Sequence, residues 1–240
     1  PKGATILSVS KGIETETLKM VSQIFEDVMA GDRLSSVCYL GGPSFAREVA
    51  AGMPTAVVIA CTDHDVAVRW QEALSTDRLR AYTTDDVVGI ELGGALKNVI
   101  AIAAGVSDGL GFGHNSRAAL ITRGLAEMTR LATKLGAHPL TLSGLGGMGD
   151  LVLTCTGDLS RNRHVGLELG HGKTLEAILA GMSQVAEGVR TTQSAYELAR
   201  REDVSMPITD AMYRILYEGQ PPLEAVVELM TRPRRPERDV

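Results

Sequence analysis

The chain has 240 residues, enough for one large core or two modest ones, with 44% hydrophobic, 22% charged and 4% aromatic residues. A formal net charge of -5 argues against a general nucleic-acid or membrane-surface binder but leaves room for a local basic pocket that takes a small anion. Cys38, Cys61 and Cys155 are scattered, with no CxxC pair or Cys/His cluster, so neither a disulfide framework nor a metal site is indicated and a reducing cytoplasm fits best.

The chain opens at Pro1 without an initiator Met and enters a strand-like segment within a few residues, which predicts missing sequence ahead of it. No basic-then-apolar leader is present, and the apolar runs 56–61 and 99–106 are too short to span a bilayer. Residues 4–10 read as a buried strand and 17–29 as an amphipathic helix. Strands follow at 36–40 and 55–61, then a helix at 64–74 and a short strand at 79–83. This alternation predicts βαβ units and a mainly parallel sheet. From residue 88 onward helical periodicity takes over. Leu92, Leu96, Val99 and Ala103 step by four, three and four, as do Ile121, Leu125, Met128, Ala132 and Leu135 in a second stretch, with Gly136 as its C-cap and Pro139 just beyond. Further helices are predicted at 161–170, 187–201, 208–217 and 222–230. The chain thus divides into an α/β part, 1–87, a helical part, 88–232, and a frayed tail, 233–240.

A literal G-x-G-x-x-G occurs at Gly144, Gly146 and Gly149, but it follows HPLTLS in the helical half, where no strand precedes it, and it reads as a flexible interhelical loop. Two other glycine sites lie at strand ends: Lys11-Gly12 after the first strand and Gly41-Gly42-Pro43-Ser44 after the second. Ligands gather beyond the carboxyl ends of such strands. Lys11 there either meets a phosphate or cofactor, or is a surface lysine at a strand end.

In GGALKNVIAIAAG, a helix over 91–105 places Gly93, Gly94, Ala101 and Ala104 on the face of Lys97. Each interior glycine costs about 1 kcal/mol of helix propensity, which close approach of a ligand or another backbone would offset. A shielded ammonium on that face has its pKa pushed down and suits proton transfer near neutrality. The alternative is a tight helix crossing with Lys97 snorkelling outward. Further on, Ser160 is a good N-cap for a helix starting at Arg161, whose free N–H groups and dipole favour an anion. Arg161 adds a bidentate donor and Asn162 an amide. Asp150 either caps the preceding segment or points at a substrate hydroxyl.

The blocks SKG at 10–12, GGPSFAREVAAGMPTA at 41–56, GGALKNVIAIAAGVSDGLGFGHNSRAALITRGLAEM at 93–128 and GGMGDLVLTCTGDLSRNRHVG at 146–166 run in order over nearly the whole chain, with EGVRTT at 187–192 and MPIT at 206–209. Together they resemble the signature blocks of bacterial-type NAD(P)-dependent glycerol-3-phosphate dehydrogenases. The resemblance implies a partial Rossmann-like parallel sheet, the remaining half of a dinucleotide-binding domain, over 1–87. It further implies an all-α substrate domain over 88–232, similar to the C-terminal part of 6-phosphogluconate dehydrogenase. The implied activity is interconversion of dihydroxyacetone phosphate and sn-glycerol 3-phosphate with NAD or NADP, supplying the backbone of phospholipids. A cytoplasmic homodimer acting on a small phosphate substrate, without nucleic acid or stable membrane insertion, is implied as well.

Carried over by motif, Lys97 matches the proton donor and acceptor, and Lys11 a residue touching cofactor and substrate. Gly42, Ser44, Asp150, Ser160, Arg161 and Asn162 match substrate-binding positions, and Ala46, Arg161, Val185 and Glu187 cofactor-binding ones. The departure is at the front, where the first mononucleotide-binding half and its glycine fingerprint are lacking. A molecule beginning at Pro1 is therefore expected to bind dinucleotide weakly and to turn over little. The competing readings are another two-domain hydroxy-acid dehydrogenase, of the 6-phosphogluconate or hydroxyacyl type, and a non-catalytic helical fragment retained for dimerisation.

Overall fold

The computed structural model describes residues 4–29, 37–182, 184–234 and 236–237. Its first elements are β1 (Ile6–Ser8), α1 (Val21–Val28), β2 (Val37–Gly41), α2 (Ala46–Ala50), β3 (Thr55–Ala60), α3 (His64–Leu74) and β4 (Leu79–Thr84). The four strands form one sheet in sequence order. β1 and β2 are parallel, with Leu7 opposite Cys38, and β3 and β4 are parallel through six residues. β2 and β3 run antiparallel, with Leu40 opposite Ile59, so the expectation of parallel strands holds for two of three pairings.

The reason is the length of the connecting helix. A parallel crossover must carry the chain back along a whole strand, roughly 17–20 Å for five or six residues. The eleven residues of α3 rise about 16 Å and with the turns at either end cover that span, whereas the five of α2 rise only about 7 Å. The chain after β2 therefore turns back directly into β3. The sequence reading also starts α1 four residues early and includes Ser36, which lies outside the described residues, as do parts of the predicted tail.

Alternate strand residues face opposite sides of the sheet. Cys38, Val57 and Ile59 pack on one face with Val66 and Ala67 of α3. Val37, Tyr39, Val58 and Ala60 pack on the other with Ile90. Ile90 belongs to α4 (Val87–Gly109), after which come α5 (His114–Lys134), α6 (Pro139–Ser143), a π-turn (Leu145–Gly149), α7 (Asp150–Thr156), α8 (Arg161–Gly170), α9 (Leu175–Ala180), α10 (Glu187–Arg201), α11 (Pro207–Tyr217) and α12 (Pro222–Thr231). No strand follows Thr84 among the described residues.

α4 is buried without a break from Gly89 to Ser107, as its all-round apolar sequence requires. The sequence reading counted its apolar runs as short. As one helix it is long and apolar enough to cross a membrane, but 89% of its apolar window is buried inside the protein. α8 lies along it with backbones in contact: a Cβ on Gly170 would stand 2.6 Å from the Val106 carbonyl oxygen, and one on Gly105 2.7 Å from the Leu167 nitrogen. At the end of α5, Gly136 takes φ +98°, and the N–H groups of Gly136 and Ala137 close on Thr133 and Ala132 at 3.0 and 2.9 Å. These are the bonds of a Schellman end, which the Gly136 signal predicts.

The start of α11 is capped from within. Glu127 of α5, buried, accepts the N–H groups of Ile208 at 2.7 Å and Thr209 at 3.2 Å. Burial pushes its carboxyl up to about 7 against those bonds. A raised carboxyl means that the native state holds the proton more tightly than the unfolded chain. Its contribution is therefore present in full below the unfolded pKa and is lost as pH rises to about 7. Chemical denaturation across that window is expected to show a smaller loss of stability for Glu127→Gln than for the unaltered chain. Equal pH slopes for the two proteins would contradict this.

Candidate active site

Lys97 occupies the middle of α4, and the helix face beside it is glycine for two physical reasons. Gly93 packs against the backbone of Gly146 in the π-turn, and a Cβ on Gly94 would lie 3.3 Å from Cδ of Lys11. The expected approach of another backbone is found at Gly93, whereas Gly94 makes room for the side chain of Lys11. The π-turn is not the flexible loop read from its composition. Gly146 and Gly147 are buried, hemmed by Ile90 and by the backbone of Leu142, so the middle glycine of the motif and the glycine after it serve packing.

The π-turn delivers Asp150, 1% exposed, to the face of Lys97. Lys97, 7% exposed, donates to Oδ1 of Asp150, and Lys11 donates to Oδ2 at 2.8 Å. Lys97 therefore turns inward instead of snorkelling, and Asp150 makes no side-chain capping bond at the start of α7. One buried carboxylate holds two ammonium groups. Burial drives the Lys97 pKa down to about 8; Asp150 opposes that shift and the Lys11 ammonium adds to it.

The loop after β2 borders the same place. Gly42 takes φ +104° and Ser44 donates its hydroxyl to the Gly42 carbonyl at 3.2 Å. The Pro43 ring lies 3.6 Å from where a Cβ on Gly149 would stand, and Phe45 closes on Gly157 at the end of α7. Because β1 and β2 are parallel, Lys11 and this loop leave the sheet on one side. Ala46, the exposed first residue of α2, follows directly.

At the start of α8 the Ser160 hydroxyl accepts the Arg163 N–H at 3.2 Å, and the first N–H groups of the helix remain without intrahelical partners. Arg161 is exposed and, among the described residues, makes no ion pair with an acidic side chain. The Asn162 side chain is held by two other helices. Its Nδ2 donates one N–H to Asn98 Oδ1 at 2.9 Å and its Oδ1 accepts the Gly188 N–H at 2.9 Å, so the amide is oriented by the protein, and its second Nδ2 hydrogen and its backbone N–H are what it can offer an anion. These bonds place the start of α8 one residue from Lys97 and bring the start of α10 alongside. There Glu187 is exposed, and Val185 is 68% exposed although apolar.

Lys11, Lys97 and Asp150 are thus in direct contact, and the remaining candidates lie on the elements that border them. Sequence reasoning missed Asn98 and Thr154. Asn98 follows Lys97 directly; Thr154, four residues after Asp150, donates to its carbonyl at 2.6 Å and lies 3.5 Å from its carboxylate. The i,i+4 spacing from Asp150 was the available signal. For a dinucleotide, the residues present suit the reactive ring end. Gly12, at φ +150° beside Lys11, has nothing within 4 Å of where a Cβ would stand, and Val185 offers an exposed apolar surface. Among the described residues no three His, Cys, Asp or Glu side chains gather to hold a metal ion.

Residues 86–227 match the family model described as the NAD-dependent glycerol-3-phosphate dehydrogenase C-terminus, and residues 1–67 match that of the N-terminus. A relative from Citrifermentans bemidjiense, named glycerol-3-phosphate dehydrogenase (NAD(P)+), is 61% identical over 232 residues, 97% of this chain and 69% of its own length. One of the same name from Nitratidesulfovibrio vulgaris is 59% identical over 235 residues, 98% and 71% of the two chains. The crystal structure of glycerol-3-phosphate dehydrogenase from Coxiella burnetii superposes with a TM-score of 0.87 at 43% identity, covering 95% of this chain and 69% of that one. The enzyme of Dunaliella salina superposes with a TM-score of 0.84 at 26% identity, covering 95% and 44%.

Proposed function

Because the chain belongs to the NAD-dependent glycerol-3-phosphate dehydrogenase family, we propose that it interconverts dihydroxyacetone phosphate and sn-glycerol 3-phosphate with NAD or NADP. Residues 1–87 contribute to holding the dinucleotide and 88–232 hold the substrate. The reading extends to a homodimer in the cytoplasm whose product supplies phospholipid synthesis. What carries it is the buried contact of Lys97 and Lys11 on Asp150.

The nicotinamide, when bound, supplies or accepts the hydride at the carbonyl carbon; Lys11, Ala46, Arg161, Val185 and Glu187 are the residues that hold its end of the cofactor. Reduction builds negative charge on the carbonyl oxygen, and an ammonium held close by stabilises that charge and then neutralises it with a proton. Lys97 holds that proton. Asp150 fixes the direction of its Nζ, and through Lys11, whose side chain is 21% exposed, links it towards solvent. Arg161 and the first N–H groups of α8, set by Ser160, bind the phosphate, and Gly42 and Ser44 line the other side. With a pKa near 8, Lys97 carries enough proton to give and is acidic enough to release it.

The test is turnover of the full-length enzyme. Dihydroxyacetone phosphate is expected to be reduced with NADH or NADPH in preference to 6-phosphogluconate or hydroxyacyl substrates being oxidised. Reduction needs the ammonium, so its kcat/KM falls as pH rises through about 8; glycerol 3-phosphate oxidation needs the free amine and rises through the same value. Absence of turnover with the triose phosphate ends the reading.

A further inference from the structure

The RNR run at 161–163 places two guanidinium groups within one turn, and the structure sorts them. Asp108, near the end of α4, is 6% exposed at its side chain and receives a guanidinium edge on each oxygen. Arg117 of α5 donates Nε at 2.9 Å and Nη2 at 2.6 Å to Oδ1. Arg163 donates Nε to Oδ2 at 2.9 Å, and its Nη2 lies 2.8 Å from the same oxygen. The remaining arm of Arg163, Nη1, reaches Oδ1 of Asp158 at 3.0 Å, in the turn that enters α8. Its backbone N–H is the one taken by Ser160. Arg163 is thus fixed from the α4 side, from the incoming turn and from the cap, and the charges of Arg117, Arg163, Asp108 and Asp158 cancel. Among the described residues, Arg161 is the guanidinium of this turn left without a carboxylate.

We infer that Arg163 is a positioning residue: anchored on Asp108, it sets turn 158–162 so that Arg161 and the free N–H groups of α8 face the substrate's phosphate. This rests on the reading of that turn as the phosphate site. A fork of planar donors is needed to hold two carboxylates in different directions, which a single ammonium does poorly. The role concerns only the anionic end of the substrate, so it separates substrates by whether they carry a phosphate.

In the full-length enzyme, Arg163→Gln is expected to raise KM for dihydroxyacetone phosphate about tenfold, the cost of losing charge-assisted hydrogen bonds, with kcat changed less than about twofold. Turnover of dihydroxyacetone, which lacks the phosphate, is expected to be unchanged, and Arg163→Lys is expected to fall between. Asp158→Asn removes one arm of the clamp at a side chain 96% exposed, where folding is not at stake. There a KM rise of about twofold is expected, in keeping with an exposed ion pair. Arg161→Gln tests the underlying reading. If it raises KM and neither Arg163→Gln, or Arg163→Lys where the glutamine variant does not fold, nor Asp158→Asn does so, the positioning role alone falls. If it leaves KM unchanged, the phosphate turn and the inference fall together. Equal losses on both substrates would overturn the inference as well, since they mark general damage to the scaffold.

Discussion

Lys97→Met in the full-length enzyme is expected to lower kcat by about three orders of magnitude or more, since positioned acid–base catalysis and stabilisation of a developing oxyanion are each worth roughly 10²–10⁴ and 10²–10³. The substitution keeps the length of the side chain in a site where Lys97 is buried and touches Asp150. Asp150 keeps Lys11 at 2.8 Å, so the carboxylate is not left alone. Two effects on stability oppose each other. Removing a buried ammonium, whose pKa burial has lowered from 10.5 to about 8, relieves a desolvation cost; losing one of two partners of Asp150 weakens a buried ion pair. The thermal midpoint is therefore expected to stay close to the unaltered enzyme's, while turnover does not. Steady-state kinetics beside a melting curve separates the two, and a variant keeping more than about a tenth of kcat would remove Lys97 from the proton transfer.

Gly166→Val is expected to destabilise the fold by about 3 kcal/mol or more, the upper range for overpacking, because the atoms it meets are backbone. A Cβ at this position would press on the Ile102 carbonyl and lie 2.8 Å from the Val106 nitrogen. α4 cannot yield, since it is enclosed on every side from Gly89 to Ser107. The comparison is Gly181→Ala, whose φ of -84° suits any residue and whose added Cβ would stand 3.6 Å from its nearest neighbour. That change is expected to alter stability by less than about 0.5 kcal/mol in either direction. Urea midpoints for the two variants measure the difference, and a tolerated valine at 166 would mean that the α4–α8 contact is looser than drawn.

Many of the helices were legible because their boundaries carry local chemistry. Asp63 and Ser160 cap α3 and α8 with side-chain bonds, Pro207 and Pro222 open α11 and α12, and Gly136 ends α5. The predicted and observed spans of α3, α8 and α10 coincide. Legibility failed where tertiary contact overrides propensity. Leu145–Gly149 is rich in glycine and reads as loop, yet Gly146 and Gly147 are there because Ile90 and Leu142 leave no room for side chains. The five-residue α2 is too short for a periodic signal, and with it went the direction of β3. In the candidate site, the chemistry of Lys97 could be argued from its glycine-lined face. Its partner, Asp150, 53 positions away, could not be paired with it from spacing. The bonds that orient the Asn162 amide were equally hidden, since both of its partners come from other helices.

That amide joins α4 through its donor and α10 through its acceptor, so a residue able to do only one of these cannot stand in for it. Aspartate at 162 could keep the Gly188 N–H, but would face the Asn98 oxygen until the Asn98 amide turned over, and that rotation would give up its contact with the Gly94 carbonyl. Positions 98 and 162 therefore drift in concert or stand still. A mutant library that varies them singly should return almost only the parental pair, while one that randomises both together should recover the few combinations that keep a donor facing an acceptor.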